Sequence, residues 1–167
     1  MKFLGKLLVT ISFMSVGTMA YPKSNMIFER DEYPQAWCLA QNIYYEARGS
    51  SKVDQIAVAD VVLNRVQSDR YPDTICGVVQ DGYRPGRNVC QFSWYCDGKS
   101  DLPENQEAWI KAQQIAINMV YNDKYVGITE GATHYHASYV LPEWAETKTQ
   151  VVQIGEHIFY RWENEND

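Results

Sequence analysis

One segment limits the folds open to this chain: Ile56-Ala57-Val58-Ala59-Asp60-Val61-Val62-Leu63 is apolar at every position but Asp60. A helix with one apolar stripe lies at a surface, whereas a helix apolar on nearly every side has to be surrounded. The β-branched residues also suit a strand. The run continues to Val66, however, and is preceded by Ser51 with Asp54 three residues on, a capping arrangement with an acid in the first turn. A helix from about Lys52 is expected, buried at the centre of a mainly α domain.

The flanking segments supply what would surround it. From Gln35, residues Trp37, Ala40, Tyr44 and Ala47 recur at helical spacing, with Leu39 and Ile43 widening the stripe and Gly49 marking the end. Thr74 to Val79 reads as a short helix or turn-rich piece after the break at Tyr71-Pro72-Asp73. Residues 80–101 form a long glycine-containing loop, a length that is uncommon unless the loop is functional or stapled. Asp101 and Glu104 repeat the capping pattern, with Pro103 tolerated in a first turn, ahead of a third long helix reaching about Tyr121. Beyond Gly131, His134-Tyr135-His136-Ala137 and residues 151–160 read as strands separated by the polar stretch 141–149. The expected class is mainly α (α+β), a helical body with a small two-stranded β element. With 167 residues, one domain is expected, over 35–163, with a lead-in or partly mobile arm at 21–34 and a tail at 164–167.

Residues 1–20 join Lys2 and Lys6 to an apolar stretch and a Thr18-Met19-Ala20 ending, the pattern of an export signal. The apolar run falls short of the ~20 residues that cross a bilayer, so no stable membrane span is expected after signal removal. The expected location is periplasmic or extracellular. Export gives meaning to Cys38, Cys76, Cys90 and Cys96: two disulfides are expected, with three pairings open. Removing the two lysines takes the formal net charge from −6 to about −8, which disfavours nucleic acid as a partner. Twelve tyrosines and five tryptophans suit stacking on sugars, although they also fill cores.

Glu46 is the candidate acid. It stands seven residues after Leu39 and three after Ile43, so it borders the buried stripe. Partial burial there would raise its pKa and leave a proton to donate near neutrality. The bland reading is an exposed helical glutamate or an ion pair. His134 and His136 share one side of a strand, and with His157 they could form a three-histidine zinc site, which would make the chain a metal-dependent amidase. Otherwise the histidines are packing or hydrogen-bonding groups around a groove, with His134 and His136 among the substrate-binding candidates. Gln91, Ser93, Tyr135 and Trp144 could bind a polar ligand, with Phe92 in the same loop and Tyr45 and Arg48 flanking the acid.

The motifs Cys38-Leu39-Ala40, Tyr44-Tyr45-Glu46-Ala47-Arg48-Gly49, residues 58–65, Cys90-Gln91-Phe92-Ser93-Trp94, Gly131-Ala132-Thr133-His134-Tyr135-His136 and Gly155-Glu156-His157-Ile158-Phe159-Tyr160 occur in an order that resembles the SleB/CwlJ family of cell wall hydrolases. The similarity spans roughly residues 36–162. It implies a lysozyme-like, lytic-transglycosylase-like fold acting on peptidoglycan glycan strands, as a monomer, without cofactor or metal. It makes Glu46 the essential glutamate and sets Gln91 and Ser93 in the cleft. The family pattern continues after the glycine with another glutamate, where this chain has Ser50 and so no carboxylate. Most glycosidases use a second carboxylate, for which Asp97, Glu130 and Glu143 are open candidates. A catalytically inactive wall-binding protein on the same scaffold is the remaining alternative.

Overall fold

The computed structural model describes residues 27–84 and 89–162; the expected signal, residues 21–26 of the lead-in and the tail lie outside the described residues. Four helices, α1 (Pro34–Ala47), α2 (Lys52–Val66), α3 (Ile75–Val79) and α4 (Gln106–Asn122), precede three strands, β1 (His134–Ala137), β2 (Thr149–Ile154) and β3 (His157–Arg161). Short 3-10 turns sit at Ser93–Cys96 and Glu143–Thr147.

The central helix is α2, as its composition requires. Residues 54–62 are all buried, and the Ser51 side chain accepts from the Asp54 backbone N–H. Asp60 interrupts the apolar run for a definite reason. Its carboxylate, fully buried, accepts from the N–H groups of Gly127 and Thr129 at 2.7 and 2.9 Å and from the Thr129 hydroxyl at 2.6 Å. An unpaired buried carboxylate would be costly, and this one is satisfied by a loop that it thereby fixes.

Helix α1 lays Leu39, Ala40, Ile43 and Tyr44 into a core shared with Trp109, Ala112, Ile115, Ala116 and Met119 of α4. Each fully buried large side chain contributes about 1.5–3 kcal/mol. The Trp109 ring meets Trp37 and Tyr44 edge-on. From residue 27 the lead-in is ordered by Gln113, a fully buried carboxamide of α4 that accepts from Ile27 N–H and donates to the Phe28 carbonyl. Two disulfides are present, Cys38–Cys76 joining α1 to α3 and Cys90–Cys96 closing the loop around Phe92 and Trp94.

Two sequence expectations shift. Helix α4 begins at Gln106, not near residue 101, because Asn105 caps it by accepting from Ala108 N–H at 3.0 Å. Residues 101–105 instead lie across α1, with Gln41 donating to the Asp101 carbonyl and Asn105 N–H donating to the Tyr44 hydroxyl. The sheet has three strands, in the order β1-β3-β2, all antiparallel. The segment 151–160, expected as one strand, folds back through the two-residue turn Gly155-Glu156. Gly155 takes φ +52° there, and a Cβ would run into the Asp54 carboxylate at the start of α2, so the turn accepts only glycine.

Candidate active site

Glu46 leaves the last turn of α1, half-buried, and accepts a 3.0 Å hydrogen bond from the Tyr135 hydroxyl of β1. Strand alternation aims Tyr135, Phe159 and His157 at one face of the sheet, where Phe159 packs on Ala57 and Val61 of α2. That face therefore delivers a phenol to the acid. Burial raises the Glu46 pKa, opposed by the Tyr135 hydrogen bond and by the charges of Arg65 and His157. Burial and the neighbouring carboxylate push the Tyr135 phenol well above its ordinary value, so it stays a donor.

Arg65, on α2, is a residue that the sequence reading missed. It is 6 % exposed, donates Nε–H to the Thr133 carbonyl at 2.8 Å, and lies over the rings of Tyr71 and Phe92. One guanidinium nitrogen is buried without a protein partner. An arginine ending a strongly apolar run was the available signal, since arginine is rarely buried unless its charge has work to do. Arg65 links the Phe92 loop, the start of β1 and the electrostatics of Glu46.

The other expected residues fall into two groups. Tyr45 stacks on Trp94 with ring centroids 4.7 Å apart, and Trp94 Nε1–H reaches Asn42, which holds the disulfide-closed loop against α1. Within that loop Phe92 is buried while Gln91 and Ser93 are exposed on either side of it. Arg48 turns away, donating to the Tyr44 carbonyl with its guanidinium over the Tyr44 ring.

His134, His136 and Trp144 occupy the opposite face of the sheet from Glu46. His136 bonds the Tyr160 hydroxyl, and Trp144 packs edge-on or tilted against His134, His136 and Tyr160. Burial and the cations Lys148 and Arg65 lower the His134 pKa to about 3. His157 projects to the Glu46 side and pairs with Asp54 at 3.3 Å. The three histidines thus do not converge, and among the described residues no group of three His, Cys, Asp or Glu is placed to hold a metal. The period of two that joined His134 to His136 also puts His157 on the other face, because it pairs with Ala137.

No second carboxylate bonds Glu46 among the described residues. Asp97 is held below its ordinary pKa by Lys99, through the Lys99 backbone N–H and side chain, while Glu130 and Glu143 are exposed.

Glu46 is thus a half-buried acid with a phenol donor, set where helices meet a small sheet, and no second carboxylate bonds it among the described residues. The chain belongs to the cell wall hydrolase family, whose model matches residues 49–160. Among similar proteins are spore cortex-lytic enzymes of Halalkalibacterium halodurans, 31% identical over 122 residues (72% of this chain, 33% of that protein), and of Bacillus cereus, 32% identical over 121 residues (72% and 42%). The chain spans about a third to two fifths of these relatives' length. Two solved structures are similar. The catalytic domain of the Bacillus cereus SleB protein is 30% identical with a TM-score of 0.55, covering 85% of this chain and 100% of that one. The catalytic domain of the germination-specific lytic transglycosylase SleB from Bacillus anthracis is 30% identical with a TM-score of 0.58, covering 84% and 100%. The mainly α fold with a small sheet agrees with the class expected from sequence.

Proposed function

We propose that the chain cleaves peptidoglycan glycan strands at the bond between N-acetylmuramic acid and N-acetylglucosamine, as a lytic transglycosylase. The observation that carries this is Glu46 itself: a carboxyl with a burial-raised pKa, fixed by Tyr135 and not hydrogen-bonded to another acid. Its proton passes to the glycosidic oxygen as the C1–O bond breaks and positive charge develops on the muramyl ring. The resulting carboxylate then takes the proton of the muramyl C6 hydroxyl, whose oxygen closes on C1 to give a 1,6-anhydro ring. One group serves both steps, so no second carboxylate is required, in contrast to ordinary glycoside hydrolysis. The similarity to a SleB lytic transglycosylase domain supports the same reading.

The proposed roles follow from this. Glu46 is the acid and base, Tyr135 its hydrogen-bond donor, and Tyr45, Phe92, Gln91 and Ser93 the residues proposed to bind the glycan. The reading places the protein with its substrate, exported to the cell wall as a monomer. No helix among the described residues is long and apolar enough to cross a membrane.

Mass spectrometry of sacculi digested with the protein tests it. Anhydromuramyl products are expected from the wild type. Glu46→Gln should retain its fold by circular dichroism and lose about 10²–10⁴-fold in rate, the usual worth of a positioned acid–base group. Reducing muramyl ends would mean water attack instead, and near wild-type release by the folded variant would remove Glu46 from the chemistry.

A further inference from the structure

A cleft of about 820 Å³ opens between the first turns of α2 and α4 at the C-terminal end of α1. Glu46 does not line it, whereas Arg48 does. Two residues further on, a helical side chain points roughly 200° around the axis, so the acid and the cleft share the end of α1 from opposite sides.

The cleft is built by residues that the cleavage chemistry leaves unused. Glu107, Lys111, Gln114 and Asn118 stand at four-, three- and four-residue spacing along one face of α4, and all line the cleft. Lys52 and Gln55 come from α2. Three cations, Arg48, Lys52 and Lys111, thus face a single carboxylate, Glu107, which Lys111 engages at 2.7 Å. This positive hollow occurs in a chain of net charge −6.

Tyr125 closes the rim, with its ring centroid 5.4 Å from the Lys52 ammonium. Its backbone is left-handed at φ 67°, an uncommon state for a bulky side chain that persists only where the surroundings impose it. Just beyond it, the buried Asp60 accepts from the backbone N–H groups of Gly127 and Thr129.

We propose that this cleft binds the carboxylate-bearing peptide stems of the glycan, an inference that rests on the reading of Glu46 as a glycan-cleaving acid. Cations interspersed with carboxamides match a ligand that carries several carboxylates and backbone amides on a flexible arm; a glycan stripped of its stems keeps only the short lactyl carboxylate of each muramic acid and the N-acetyl groups, held close to the sugar ring. The reach is sufficient. Four extended residues span up to roughly 14 Å, enough to cross the end of a helix about 10–12 Å in diameter. A stem attached to a sugar at Glu46 thereby reaches the cleft without leaving the strand being cut.

Calorimetric titration of the Glu46→Gln protein tests the assignment with a glycan fragment bearing its stems, the same fragment stripped of stems, and a poly(glycerol phosphate) of equal charge. The stem-bearing fragment should bind most tightly and weaken with salt. Exposed ion pairs each change a binding constant by roughly two- to five-fold, so adding Lys52→Gln and Lys111→Gln should weaken it about tenfold while leaving the stripped fragment unaffected and the melting temperature unchanged. Equal binding of the two fragments, an unaltered constant in the charge variant, or preference for the polyphosphate would overturn the proposal. Cleavage of stripped glycan by the Glu46-intact protein is scored separately. Failure to cleave even the stem-bearing fragment would strike the role of Glu46, whereas cleavage of the stripped and stem-bearing fragments with equal efficiency would strike only the cleft.

Discussion

At the level of single residues the site turns on how one proton is held. Burial favours protonated Glu46, while the Tyr135 hydroxyl, Arg65 on α2 and His157 on β3 favour its carboxylate. Tyr135→Phe removes the hydrogen bond and leaves the burial, so the Glu46 pKa should rise further. Because the proposed first step needs the acid protonated, activity should be lost as pH rises through that pKa. The alkaline limb of the pH–rate profile should therefore move to higher pH, with a lower maximal rate from a less firmly held carboxyl. A limb that stays in place or moves to lower pH would show that Tyr135 does not act on the acid. The half-buried placement of Glu46 was legible in the sequence because helical spacing set it beside the Leu39 and Ile43 stripe. Its partners were less so: Tyr135 was one of several candidates, and Arg65 is connected to Glu46 only by the fold.

At the level of elements, local signals were read correctly where the competing interaction was also local. Ser51 caps α2 as its spacing from Asp54 indicated, and the segment read as a short helix or turn after Tyr71-Pro72-Asp73 is α3. Residues 101–104 resemble a cap too, but Gln41 and Tyr44 of α1, distant in sequence, take their backbone groups and the helix waits for Asn105. Similarly, Gly155 split the expected final strand because Asp54 leaves no room for a side chain there. The disulfides offer a test at this scale. Cys38–Cys76 closes a separation of 38 residues and Cys90–Cys96 one of 6, so loop entropy assigns them roughly 4 and roughly 2 kcal/mol. Urea unfolding of the paired alanine variants should show the larger loss for Cys38 and Cys76. The smaller bond encloses Phe92 and Trp94, which pack on Arg65 and Tyr45, so its removal should cost more in cleavage rate than in stability. An unchanged cleavage rate in the variant lacking Cys90 and Cys96 would mean that the loop around Phe92 is held by packing alone.

For the molecule as a whole, the sheet separates two sets of groups that the sequence could not tell apart. All three histidines lie on β1 and β3, close enough in sequence to suggest one zinc site, and only the pairing register decides between convergence and division. Ala137 opposite His157 puts that side chain with Tyr135 and Glu46, while His134 and His136 join Tyr160 and Trp144 on the far face. Each also has a bonding partner at hand: Thr133 for His134, Tyr160 for His136 and Asp54 for His157. A metal hydrolase needs three protein ligands around one open position, and bringing these together would require breaking the β1–β3 ladder. Glycan cleavage should accordingly survive exhaustive dialysis against a strong chelator with its rate unchanged. Replacing His134 or His136 should act through packing of the outer aromatic face, lowering stability before activity. Loss of cleavage on chelation, restored by zinc at stoichiometric concentration, would show that a different register or a further ligand completes a metal site, and would transfer the chemistry from Glu46 to the histidines.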